Sequence, residues 1–82
     1  MEILINRIKE LKDIKFSSKV KLLEALENKI KDIDIKNGEV YYNYITLELE
    51  NDNKINIIID YCSGNKYKIE RLEIITVKEI IL

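Results

Sequence analysis

In the first fourteen residues Leu4, Ile8, Leu11 and Ile14 recur at intervals of four, three and three. That spacing lays one apolar stripe along an α-helix. Ile3 and Ile5 widen the stripe, and Glu2, Arg7, Lys9, Glu10, Lys12 and Asp13 fill the remaining face. The pattern predicts a helix over 2–14. The segment "KFSSKV" then breaks the period. Ser17 and Ser18 are suited to cap a second helix, because a serine oxygen accepts from a free amide of the first turn. No capping box accompanies them, since Val20 and Lys21 stand where Glu or Gln would reach back. A second helix is predicted over about 18–33. Val20, Leu23, Leu26, Ile30 and Ile33 form its expected buried stripe, with Leu22 and Ala25 on the margins. So short a link makes the two helices an antiparallel hairpin.

The period changes after Asn37-Gly38, a pair that tolerates positive φ and predicts a turn ending the helical region. In "VYYNYITLELE", residues 40–50, Tyr41, Ile45, Leu47 and Leu49 share one side. Val40, Tyr42, Tyr44, Thr46, Glu48 and Glu50 share the other, the alternation of a half-buried strand. The polar turn "ENDNK" leads into a second strand over 54–62, with Ile55, Ile57, Ile59 and Tyr61 on one side and Asn56, Ile58, Asp60 and Cys62 on the other. Ser63-Gly64-Asn65 predicts a hairpin turn, Gly64 supplying the left-handed dihedral. A third strand follows over 66–77. Within it Leu72 and Ile74 are out of phase with Tyr67 and Ile69. One extra residue reverses the facing of a strand, so a bulge is expected near Glu70-Arg71. The terminal "KEIIL" either extends this strand or lies against a helix.

Short links between these elements favour neighbours in space. The expected fold class is α+β: an N-terminal helical hairpin packed on a three-stranded antiparallel meander, ααβββ in order and two layers thick. The 82 residues, opening on Met1, are read as one small domain. A chain this short buries only roughly 60–65% of its unfolded surface, so modest stability is expected unless a second copy or a partner adds burial.

Composition narrows the function by exclusion. Hydrophobic residues make up 46% and charged residues 35%, a globular balance. Net charge is −1, far from the strong basicity of a dedicated phosphate-backbone binder. Histidine is absent, which removes Ser-His-Asp, Cys-His and histidine metal sites together. Cys62 is alone and cannot form an internal disulfide, so a reducing, cytoplasmic setting is expected. Charges run throughout the N-terminus, and no stretch reads as a signal peptide or membrane span. Two isolated glycines cannot build a phosphate loop. No cofactor and no metal are expected.

Three function classes remain. In the first, helices roof one sheet face, and Val40, Tyr42, Tyr44, Ile58 and Tyr67 on the other form a docking surface for another protein or a second copy. Tyrosine-rich apolar clusters are enriched at interface cores. Small intracellular inhibitors of mobile genetic elements, immunity and anti-defence proteins among them, share this size and lack of motifs, so an inhibitor or adaptor acting by steric blocking is expected. In the second class, Lys12, Lys15, Lys19 and Lys21 around the helix junction bind nucleic acid while tyrosines stack on bases. Interleaved Glu10, Asp13, Glu24 and Glu27 weigh against this. In the third, a small toxin or nuclease-like enzyme would use Asp60, Glu70 and Lys68 to hold a metal and a phosphate. The helix–helix–sheet order is loosely similar to that of small ribonuclease toxins, but their usual basic active face is missing. Glu48 and Glu50, or Lys68 and Glu70, also read as ordinary cross-strand charge pairs on a wet face.

Overall fold

The computed structural model describes residues 2–50 and 52–75. Two helices, α1 (Glu2–Lys9) and α2 (Lys19–Ile30), precede four strands: β1 (Ile35–Val40), β2 (Tyr44–Leu49), β3 (Lys54–Cys62) and β4 (Lys66–Ile75). The strands form one antiparallel sheet in the order β1-β2-β3-β4. The α+β class and the helical pair over an antiparallel sheet are as expected. The strand number is not: among the described residues the sheet has four strands rather than three. "KEIIL" and the last two residues of the expected third strand lie outside the described residues.

The added strand is β1, and it overturns the expected turn at Asn37-Gly38. Asn37 pairs with Glu48 and Gly38 with Leu47. The chain reverses instead at Tyr42-Asn43, where the Tyr41 amide donates to the Tyr44 carbonyl at 2.8 Å. "VYYNYITLELE" therefore spans the end of one strand, a turn and all of the next, rather than a single strand. Only Ile35 of β1 is even half-buried. Its ladder is main-chain pairing with almost no alternation of side chains to announce it.

The sheet breaks register where expected. Ile58 pairs with Arg71 but Ile59 with Ile69, so Glu70 is the extra residue. That bulge returns Leu72 and Ile74 to the side of Ile57 and Ile55, their cross-strand partners. A second bulge at Lys36 separates the pairs Ile35–Leu49 and Asn37–Glu48. At the β3–β4 turn, Gly64 at φ 78° and Asn65 at φ 59° take left-handed conformations.

One sheet face carries the core. Ile45, Leu47, Leu49, Ile55, Ile57, Ile59 and Ile69 meet Leu4, Ile8 and Leu11 of the first helical segment and Leu22, Leu26 and Ile30 of α2. Fully burying one such side chain contributes roughly 1.5–3 kcal/mol. The helical stripes differ in detail from the pattern. α1 stops at Lys9, and Leu11, Lys12 and Ile14 donate to carbonyls three residues back in tight turns. Those turns keep Leu11 inside but leave Ile14 exposed. In α2 the buried line is Leu22, Leu26 and Ile30, four residues apart, so Val20 faces solvent. Ser18 caps α2 as expected, its hydroxyl accepting from the Lys21 amide at 3.2 Å.

Ion pairs join the helices. Arg7 pairs with Asp32 and also donates to the Lys29 carbonyl at 3.1 Å. Lys29 pairs with Glu10 at 2.7 Å. Ascending positions on one helix meet descending positions on the other, the order of an antiparallel hairpin. The link between the helices serves the sheet as well. Phe16 and Tyr67 exchange main-chain hydrogen bonds at 2.7 and 2.8 Å, so Phe16 covers part of the outer edge of β4.

Candidate functional site

The five residues expected to form one docking face are divided by the sheet. Val40 pairs with the buried Ile45, and Tyr67 pairs with Tyr61 two positions beyond the buried Ile59–Ile69 pair. Both therefore stand on the helix-bearing side, and Tyr67 packs against the core. The turn at Tyr42-Asn43 reversed the facing assigned to Val40, because the strand was expected to run straight through it. Tyr44 and Ile58 do share the open face, as direct cross-strand partners. Tyr42 sits at the turn tip.

The open face has a polar centre. Thr46 donates to Asn56 at 2.8 Å, and Glu48–Lys54 and Asn56–Glu73 are cross-strand pairs. Tyr44 lies at one end of this face, stacked on Tyr41 with ring centres 4.6 Å apart and planes 13° off parallel. The Tyr41 hydroxyl donates to Glu39, and that bond, with the neighbouring negative charge, holds the phenol above its ordinary pKa. Half-buried Ile58 is flanked across β4 by Arg71. Among the described residues this face is a wet surface with aromatic and aliphatic side chains beside its polar centre, and they form no continuous apolar wall.

The aromatic residues gather at one end of the sheet, where the β1–β2 and β3–β4 turns lie together. A cleft of about 260 Å³ is lined by Lys19, Tyr42, Asn43, Ile59, Tyr61 and Tyr67. Tyr42 is 88% exposed and Tyr61 58% exposed. Their surroundings are nevertheless held in place. The Ile59 amide donates to the Asn43 carbonyl at 2.8 Å, tying the turn to β3. Lys19, the first residue of α2, donates to the Tyr42 carbonyl and stands 4.4 Å above the ring centre. The same ammonium is 5.9 Å from the Tyr67 ring. Tyr61 meets Tyr67 edge to face at 5.3 Å, and its hydroxyl donates to Asn65.

An apolar groove runs along the other flank of the helix-bearing side. Leu23, Leu26, Ile30 and Ile33 form its helical wall, and Ile35, Gly38, Val40, Ile45 and Leu47 its sheet side. Its volume is about 400 Å³, with Glu27 and Lys31 on the rim. Val40 is 55% exposed there.

The residues of the alternative readings do not converge. Lys12 lines a hollow between α1 and β4 with Arg71, whereas Lys19 is engaged with Tyr42. Lys15 and Lys21 are exposed. Asp60 lies opposite Lys68, while Glu70 occupies the bulge and pairs with Arg71 at 3.1 Å. Among the described residues, no three His, Cys, Asp or Glu side chains come together as a metal site. No helix among them is long and apolar enough to cross a membrane. Cys62 is half-buried and carries no disulfide.

Tyr61 and Gly38 are residues that sequence reasoning missed as site components, and Lys19 was named for a different role, nucleic-acid binding. Lys19 was legible only as one of several junction lysines, and Tyr61 only as an inward strand position. The chain matches no known protein family, no curated protein and no solved structure.

Proposed function

We propose that this chain is a small non-enzymatic protein-binding domain, an inhibitor of or adaptor to a larger protein, acting in the cytoplasm by steric blocking. Its partner docks on the tyrosine corner. The observation that carries this reading is Tyr42: an aromatic ring 88% exposed, yet fixed from behind by Lys19. Tyrosine combines a large apolar face with a polar tip and dominates many interface hot spots. A ring already held in position loses less freedom on binding than a mobile one. Tyr61 and Asn43 beside it supply a second aromatic contact and a polar rim.

Affinity capture from the native host with the wild-type chain, Tyr42→Ser and a Tyr42→Ser/Tyr61→Ser double variant tests this. The expected result is one protein that the wild type retains and the double variant loses, with binding that falls only gently as salt rises. Retention of the same protein by the double variant overturns the tyrosine corner. A captured nucleic acid with steep salt dependence favours the lysine reading instead.

A further inference from the structure

Within a single chain, nothing requires glycine at position 38. Its φ lies outside the left-handed region, unlike that of Gly64. A Cβ there would meet the Leu47 Cδ2 at 3.5 Å and the Thr46 carbonyl at 4.0 Å, ordinary contact distances. Glycine inside a strand is unfavourable and marks bulges, such as the one at Lys36 two residues away, or places where another backbone comes close. Gly38 lies in β1, which has no neighbour on its outer side among the described residues. The opposite edge of the sheet, at β4, is partly covered by Phe16.

The ladder shows which groups this edge presents. Tyr41 bonds to Tyr44, and Glu39 and Asn37 pair in step with it. The alternation of an antiparallel ladder then turns the amides and carbonyls of Gly38 and Val40 outward. No proline guards them, since the chain has none. Unpaired edge groups of this kind add another strand readily.

The geometry points to a second copy of this chain as that strand, with β1 pairing antiparallel to β1 about a twofold axis at Gly38. Charge selects this register. Glu39 then lies opposite Asn37 of the second copy, with Lys36 of that copy, which its own chain pairs with Asp52 at 3.4 Å and Glu48 at 3.7 Å, beside it on the same open face. The next register along places Glu39 against Glu39, two like charges directly opposed. On the helix-bearing side the chosen register brings Val40 next to the second copy's Ile35, extending the apolar groove across the junction. This surface is separate from the tyrosine corner, so each proposal stands or falls without the other.

Sedimentation equilibrium over a wide concentration range, up to the solubility limit, provides the test. The wild type is expected to pass from the mass of one chain to that of two. Glu39→Lys sets lysine against Lys36 of the other copy twice over, and Lys36→Glu sets glutamate against Glu39 twice over. Each variant alone is expected to dissociate roughly tenfold or more readily. An equimolar mixture of the two restores both attractions and is expected to regain the two-chain mass, which rules out misfolding as the cause of the losses. Tyr42→Ser is expected to associate like the wild type. A wild type that keeps the mass of one chain throughout overturns the proposal and leaves the edge to a different protein or to water. So does a Glu39→Lys variant that pairs as tightly as the wild type, or a mixture no tighter than its components.

Discussion

β1 and β3 belong to one sheet, yet they are held in it by different means. In β3, Ile55, Ile57 and Ile59 point one after another into the space beneath α1 and α2. In β1, five of six residues are exposed and Gly38 presents no side chain at all. Both strands satisfy their main-chain groups toward β2, but β3 packs along its length and β1 only at Ile35. Main-chain pairing is therefore enough to add a strand to an existing sheet, while packing decides which strands hold the domain together. A strand that pairs without packing leaves its outer side available, and in this chain the apolar groove and the unguarded edge are both at β1.

This contrast gives its largest expected effect at the centre of the packed half. Ile57→Ala removes a fully buried side chain from between its sheet neighbours Ile45 and Leu72, and should destabilise the chain by about 2–5 kcal/mol in urea unfolding. A loss below about 1 kcal/mol would mean that the packed half does not carry the stability. The helical roof is next. Ser18→Ala removes the acceptor for the Lys21 amide and should cost about 1 kcal/mol by the same measurement. In the unpacked half the sign reverses. Gly38→Ala, measured where the chain is monomeric, should stabilise by roughly 0.5–1 kcal/mol, because the new methyl group meets only ordinary contacts. A destabilised Gly38→Ala monomer would show that β1 is packed more tightly than its exposure implies. At the turn tip Tyr42→Ser should shift thermal stability by no more than about 0.5 kcal/mol while abolishing partner capture.

The smallest effect concerns pH. Lys29 holds the Glu10 carboxyl, and Arg7 the Asp32 carboxyl, below their ordinary values. As pH falls, the unfolded chain therefore takes up protons at these groups before the folded one does. Their contribution is complete above about pH 4–4.5 and drains away at lower pH, as the folded carboxyls titrate. Both pairs are solvent-exposed and screened, so replacing Glu10 with Gln and Asp32 with Asn should flatten the acid limb of the stability curve only slightly. An unchanged acid limb would show that these exposed pairs contribute nothing to folding.

What was legible in the sequence followed from packing. Branched residues alternating in β2 and β3, the phase slip around Glu70, the left-handed turn at Gly64 and the Ser18 cap each write a local physical demand into residue type. The chain read residue by residue therefore settled the α+β class, the central strands and most of the core. β1 left no such mark, because a strand held mostly by main-chain bonds, with only Ile35 against the core, places almost no periodic demand on its side chains. For the same reason Asn37-Gly38 resembled a turn, and the true turn lay hidden among tyrosines that also suit a strand.

Only the tertiary structure decided which side chains share a surface. A reversal at Tyr42-Asn43 separated Val40 from Tyr44. The fold also carried Lys19, 23 residues away along the chain, to the Tyr42 carbonyl. Local patterning fixes what each segment buries, since burial is felt residue by residue. The neighbours of an exposed ring are set by how distant segments cross, and that depends on the packing of the whole core.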